Sequence, residues 1–318
     1  MRAYQILNPG AAPELVRIKV PEPGHGQVRI AIQACGLNFA DLLMQNGSYQ
    51  DIPATPFTLG MELAGIVEAL GDSVETLEVG DRVAVFSGQG GLAEYGVFDV
   101  DRVLPLPDGM SFEHAAAFQI AYATSHVALA HCARLLAGET LLVTGAAGGV
   151  GLTAIEIGKL MGARVIAHAR GADKLAVARA AGADFLIDDA DDLRLRVREL
   201  GGADVVYDAV GGDVFKAAFR ACRPGGRLLN IGFASGEVPQ IPANHLMVKN
   251  LSAIGFYIGG YMKFRPDVIA DSLTTLIGWY QAGQLQPHIS HTLPLEQVAT
   301  GMDLLRQRKS TGKVVITM

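Results

Sequence analysis

The sequence has few cysteines, no long apolar run and no block of one charge. Its three cysteines, Cys35, Cys132 and Cys222, are far apart and form no C-x-x-C pair, so they suggest neither a zinc site nor a redox motif. They read as small buried hydrophobes in a reducing compartment. No window approaches the ~18 uninterrupted apolar residues of a membrane span, and Met1-Arg2-Ala3-Tyr4 leads directly into folded-looking sequence without a secretory signal. The net charge is −6, with acids and bases interspersed, which leaves no basic footprint for nucleic acid. The expectation is a soluble, cytoplasmic protein with no nucleic-acid or membrane partner.

Apolar side chains make up 50% of the 318 residues, enough for substantial cores, and this length predicts two domains. In the first third, Val28, Ile30 and Ile32 interleave with Arg29, Ala31 and Gln33, which predicts half-exposed antiparallel strands. Prolines 21, 23, 53 and 56 punctuate this region, and from about Ser111 the pattern turns helical.

Residues 141–258 then repeat strand, glycine-containing turn and helix. Strands are expected at 141–144, 163–168, 184–187, 203–209 and 226–231, with an edge strand within 251–258. Alternation with helices implies a parallel doubly wound sheet, because parallel neighbours need crossover connections. Two helices, near 267–281 and 295–307, precede a closing strand, Lys313-Val314-Val315-Ile316-Thr317. That strand is expected to return to the first domain, since a lone strand must pair.

The central motif is Thr144-Gly145-Ala146-Ala147-Gly148-Gly149-Val150-Gly151. It follows an apolar strand and opens a helix, where free N–H groups and the helix dipole favour a pyrophosphate. Its G-x-x-G-x-x-G spacing differs from the commoner G-x-G-x-x-G, so its neighbours must support it. The second strand ends without the acid that would bind the ribose of NAD. In its place stand His168, Ala169 and Arg170, with Lys174 beyond, cations that suit a 2′-phosphate and favour NADPH over NADH.

Several stretches resemble the zinc-independent medium-chain dehydrogenase/reductases of the NADPH:quinone oxidoreductase family. They are Cys35-Gly36-Leu37-Asn38-Phe39-Ala40-Asp41-Leu42, Gly60-Met61-Glu62-Leu63-Ala64-Gly65, Val79-Gly80-Asp81-Arg82-Val83, the glycine turn, Val206-Tyr207-Asp208-Ala209-Val210-Gly211-Gly212, Ile231-Gly232-Phe233-Ala234-Ser235-Gly236 and Thr311-Gly312-Lys313-Val314-Val315. The resemblance implies a mostly-β GroES-like catalytic domain made from both ends of the chain, 1–118 and 258–318. It surrounds a Rossmann domain at 119–257, with the active site in the cleft. A homodimer is implied, through an edge strand near 251–258.

Related zinc alcohol dehydrogenases have a cysteine ligand where this chain has Asn38 and a histidine ligand where it has Met61. Neither an amide nor a thioether replaces a thiolate or imidazole on zinc, so no catalytic metal is expected. Without a Lewis acid, alcohol oxidation is a poor candidate, whereas a quinone or enone already accepts hydride at a conjugated position. The expected activity is quinone reduction by NADPH. A 2-alkenal or enone reductase and an NADPH-binding structural or regulatory protein are the alternatives.

Residue by residue, the resemblance assigns Gly148, Gly149 and Val150 to the pyrophosphate, and Arg170 and Lys174 to the 2′-phosphate region. Val210, Gly211, Gly232, Phe233, Ala234, Phe256 and Tyr257 line the nicotinamide half, with Thr124 near its amide. Asn38 is the candidate donor to a developing oxyanion, and also a cofactor contact. Two positions depart from the family pattern: Leu43 and Asp189 stand where many relatives have an aromatic, or at 189 a histidine. An acid at 189, beside the adenosine phosphate, would oppose a 2′-phosphate.

The same residues have structural readings. Asn38 and Asp41 suit the cap of the following helix. The acidic group Asp188, Asp189, Asp191 and Asp192 suits a solvated turn with helix caps. No general acid emerges.

Overall fold

The computed structural model describes all 318 residues. They form two compact units, Met1–Ile120 with Pro287–Met318, and Ala121–Gln286. Along the chain the first strands are β1 (Arg2–Ile6), β2 (Glu14–Arg17), β3 (Gln27–Leu37), β4 (Phe57–Thr58), β5 (Glu62–Leu70), β6 (Arg82–Phe86), β7 (Tyr95–Asp99) and β8 (Val103–Pro105). The second unit holds β9 (Thr140–Thr144), β10 (Arg164–Ala169), β11 (Phe185–Asp188), β12 (Ala203–Asp208), β13 (Cys222–Asn230) and β14 (Ser252–Gly255). The first unit is completed by β15 (Ile289–Pro294) and β16 (Lys313–Thr317).

The main sheet of the first unit runs β15-β16-β3-β5-β6-β8, with β7 also paired to β3. Along β3 the expected alternation holds as far as Ile32, with Val28, Ile30 and Ile32 buried against Leu63, Val67, Val83, Val85 and Phe98. Beyond a register shift between Ile32 and Ala34, all four residues Ala34–Leu37 are buried. The bulge bends the strand, and the helix Phe112–Ala116 covers its outer face so closely that a Cβ on Gly36 would lie 2.0 Å from the Ala116 carbonyl oxygen. As expected, the closing strand returns here: β16 pairs antiparallel with β3, Val314 opposite Leu37 and Thr317 opposite Ala34.

In the second unit six parallel strands stand in the order β11-β10-β9-β12-β13-β14. The central strand β9 is buried throughout, because helices cover both faces of a parallel sheet. Leu142, Ile166, Val206 and Leu228 pack with Phe215 and Phe219 of the helix Gly212–Ala221. The order reverses between β9 and β12, and ligands of doubly wound sheets sit outside the carboxyl ends of the strands at that point. The strand expected within 251–258 is β14, at the sheet edge.

One boundary differs. Residues 258–286 were expected with the first unit but belong to the second. The helix Pro266–Gln281 carries Ser272, whose Oγ is 2.9 Å from His126 Nδ1, and Trp279, whose ring meets His126 edge-on. These contacts tie the segment to the second unit. No helix of the chain is long and apolar enough to cross a membrane.

Candidate functional site

The glycine turn follows β9 directly, and its glycines divide by physical role. Gly145 has φ +64°, a left-handed conformation that favours glycine. At Gly151 a Cβ would lie 2.3 Å from the Gly145 carbonyl oxygen, so that glycine lets the helix Gly149–Leu160 pack against its own turn. Gly148 differs from both: it is exposed, its φ of −80° suits any residue, and a Cβ there would meet one protein atom, the Gly145 oxygen, at 3.3 Å. The fold makes little demand for glycine at 148. A ligand approaching the helix N-terminus would make that demand, so the turn fits a pyrophosphate.

At the end of β10, Arg170 is exposed and Lys174 is half-buried on the helix Ala172–Ala180. His168 is not a third cation there. It is buried, and burial lowers its pKa, although Asp189, Asp188 and Asp191 pull in the other direction. Its Nε2 lies 3.5 Å from Asp189 Oδ1, while its Nδ1 is buried without a partner. The other acids behave as a turn with caps. Asp188 accepts from the Gly171 and Ala190 N–H groups, and Asp192 caps the helix Leu193–Glu199 through Leu195 N–H.

At the end of β12, the buried Asp208 carboxylate accepts from the Thr144 hydroxyl and from the N–H groups of Val210, at 3.3 Å, and Gly211, at 2.9 Å. It thereby joins the ends of β9 and β12 at the switch point and shapes the turn of Val210 and Gly211. Ala234 N–H and Ser235 N–H bond back to the Ala209 and Val210 carbonyls, which sets Gly232, Phe233 and Ala234 beside that turn. Phe256 follows β14 and bonds through its N–H to the Asn230 carbonyl, with Tyr257 next in the chain. Thr124 is buried on the helix Gln119–His126. Its neighbour Ser125 anchors that helix, with Oγ 2.7 Å from Thr153 Oγ1, 2.9 Å from Tyr207 Oη and 3.0 Å from the Val150 carbonyl.

A second polar centre lies within the first unit, where β16, β3 and β5 are neighbours. Lys313 Nζ donates to Asn38 Oδ1 at 2.7 Å and to Glu62 Oε1 at 2.8 Å. Asn38 Nδ2 donates to Glu62 Oε1 at 2.9 Å and to the Gly36 carbonyl at 3.2 Å. Ile120 N–H donates to Glu62 Oε2 at 2.9 Å. Glu62 is 0% exposed and Lys313 5%, so this is a buried ion pair in which both carboxylate oxygens and two of the three ammonium hydrogens are engaged. Asp41 accepts from the Asn38 N–H at 2.8 Å and the Gly60 N–H at 3.3 Å, the capping use expected of it. Burial pushes its pKa up to about 7 against the pull of those N–H groups and Lys313. Both Nδ2 hydrogens of Asn38, the expected oxyanion donor, already point at acceptors of this unit.

Residues 24–108 match the alcohol dehydrogenase GroES-like domain, and residues 149–272 match the zinc-binding dehydrogenase domain. The chain is 42% identical over 300 residues to the quinone oxidoreductase-like protein 2 homolog of Nematostella vectensis, covering 92% of this chain and 82% of that protein. The chain belongs to the quinone oxidoreductase family of medium-chain dehydrogenase/reductases. Among solved structures it resembles the quinone oxidoreductase of Thermus thermophilus, solved also with NADPH, at a TM-score of 0.88 and 33% identity over the full length of both chains. The Escherichia coli quinone oxidoreductase complexed with NADPH gives 0.92 and 26%, covering 100% of this chain and 99% of the other. The family also reaches the human synaptic vesicle membrane protein VAT-1 homolog, 30% identical over 93% of this chain and 80% of that one.

The zinc in the matched domain's description does not fit this member. At this centre the donors are the Asn38 amide and a Glu62 carboxylate already paired with an ammonium through Oε1 and hydrogen-bonded to the Ile120 N–H through Oε2, and no group of three or more His, Cys, Asp and Glu side chains is placed to hold a metal ion.

Lys313 and Asp208 received no role from the sequence, although both stand in stretches that carry the family resemblance. The available signal at Lys313 was a lone charge opening the apolar run Val314-Val315-Ile316. A cavity of about 710 Å³ at the opposite ends of the strands is lined by Arg198, Arg220, Arg223 and Lys249 among others. Arg198, Arg220 and Lys249 stand in the last turns of three helices, where cations offset the helix dipole, so this basic cavity is not evidence for the nucleotide.

Proposed function

We propose that the protein reduces quinones with NADPH and without a catalytic metal. Bound NADPH supplies two electrons and a hydrogen as hydride, and with a proton from solvent this converts a quinone to its hydroquinone. The chain's part is binding, orientation and exclusion of water. Backbone N–H groups at Gly149 and Val150 receive the pyrophosphate, Arg170 and Lys174 the 2′-phosphate, and the turns at Val210–Gly211 and Gly232–Ala234 the nicotinamide half. Thr124, Phe256 and Tyr257 complete that half. The observation that carries the reading is the Glu62 carboxylate ion-paired with Lys313 and hydrogen-bonded to Asn38, in a chain that has an amide at 38 and a thioether at 61 where the resemblance puts the cysteine and histidine ligands of a metal-dependent alcohol dehydrogenase. Such a centre favours an acceptor that needs no Lewis acid. A homodimer is part of the proposal, because β14 is an edge strand with Ser252, Ala253 and Gly255 exposed.

The test is NADPH oxidation with 1,4-benzoquinone, 9,10-phenanthrenequinone and a 2-alkenal as separate acceptors. Turnover with either quinone is expected. Activity confined to the alkenal would replace the reading with enone reduction, and tight NADPH binding without turnover on any acceptor would replace it with a non-catalytic role.

A further inference from the structure

We infer that Lys313 is a positioning residue for the proposed reaction: with Glu62 it locks the Asn38 amide in one orientation, which makes Asn38 an acceptor toward ligand hydroxyl or N–H groups. The inference rests on the quinone-reductase reading for its kinetic consequence but not for its geometry.

Strand register brings the three side chains together. Pairing of Val314 with Leu37 and Val315 with Gly36 puts Lys313 opposite Asn38, while Gly36 stands opposite Glu62 on the other neighbouring strand. The lack of a side chain at Gly36 is part of the arrangement, since a Cβ there would stand 3.2 Å from Glu62 Oε1. An amide has two orientations of similar shape and opposite polarity. Here Oδ1 meets the ammonium, and Nδ2 meets the carboxylate and the Gly36 carbonyl. Reversal would put Nδ2 against Lys313 and Oδ1 against two acceptors, so the ion pair selects one orientation.

The consequence is a count of valences. Nδ2 has two hydrogens, and both are used; Oδ1 has two lone pairs, and Lys313 takes one. What half-buried Asn38 retains for a ligand is a lone pair polarised by an adjacent ammonium. It suits a sugar hydroxyl, a carboxamide N–H or a hydroquinone O–H, and not an oxyanion.

The experiment compares the wild type, the double variant Glu62→Gln/Lys313→Met and Lys313→Arg. Both charges are removed together so that neither is left alone in the interior. Protein labelled with ¹⁵N-asparagine reports the Asn38 side-chain amide, assigned by its loss in Asn38→Asp, and quinone kcat and the NADPH dissociation constant are measured separately. In the wild type the two Asn38 amide hydrogens should be distinct and insensitive to pH. In the double variant their shifts should collapse toward those of a free amide, and kcat should fall about 30-fold, in line with loss of a charge-assisted hydrogen bond. Lys313→Arg, which keeps the charge and the donors, should preserve the amide signals and hold kcat within about fivefold. Unchanged amide signals or unchanged kcat in the double variant would overturn the inference, and so would a Lys313→Arg enzyme as impaired as the double variant. If the double variant does not fold, Lys313→Arg alone decides by the same criteria. If the wild type reduces no quinone, the proposed function fails and the amide spectrum still decides the orientation.

Discussion

In the second unit the candidate pyrophosphate turn is made of backbone. N–H groups at a helix start, a turn held by Asp208 and an exposed Gly148 form it, and no side chain stands at Gly148. In the first unit the centre is made of side chains, with Lys313, Glu62 and Asn38 meeting where three strands run side by side. A backbone site tolerates loss of side chains and fails when one is added. A side-chain site fails when one is removed, and most severely when removal leaves a buried charge unmatched.

The largest expected effect is therefore in the first unit. Glu62→Ala strips Lys313 of its counter-charge and leaves the Ile120 N–H and one Asn38 hydrogen without acceptors, a cost of about 3–5 kcal/mol. Urea unfolding measures it, and a loss below about 1 kcal/mol would mean the pair is hydrated. Next come paired glycine variants in the second unit. Gly148→Val should keep the melting temperature within a few degrees yet weaken NADPH binding about 100-fold or more, whereas Gly151→Val should lower the melting temperature itself, because its Cβ meets backbone. If both variants act alike on stability and binding, the division of roles among the glycines is wrong.

This contrast also explains what could be read in advance. The glycine turn and Arg170 lie within a few dozen residues, and each parallel strand is marked by its own apolar run, so these features follow from local spacing. Lys313 stands 275 residues from Asn38 and 251 from Glu62, and only the register of β16 on β3 and β3 on β5 joins them. The boundary expected at 258 was misplaced for a similar reason: the contacts of Ser272 and Trp279 with His126 are long-range packing. His168, grouped with the cations at the strand end, lies in a strand position that turns it inward, which changes its electrostatic role.

Arg170→Ala should reduce the preference for NADPH over NADH about tenfold, from loss of one charge-assisted phosphate contact, as read by the ratio of dissociation constants. An unchanged ratio would move the 2′-phosphate contact elsewhere. The smallest effect is in pH dependence. Burial depresses the pKa of His168 in the folded state, so its contribution to stability is present above the unfolded value near 6.5 and is lost as pH falls from there toward the folded value. Replacing His168 with Asn should flatten the stability curve over that window. Steepening it would mean that Asp189 holds the protonated form.

Metal-free reduction of a quinone by NADPH is tested most directly by the rate of NADPH oxidation by 1,4-benzoquinone before and after exhaustive dialysis against a zinc chelator, with elemental analysis of the same samples. The expected result is an undiminished rate from protein carrying no zinc. Loss of activity on chelation, restored by stoichiometric zinc, would contradict it.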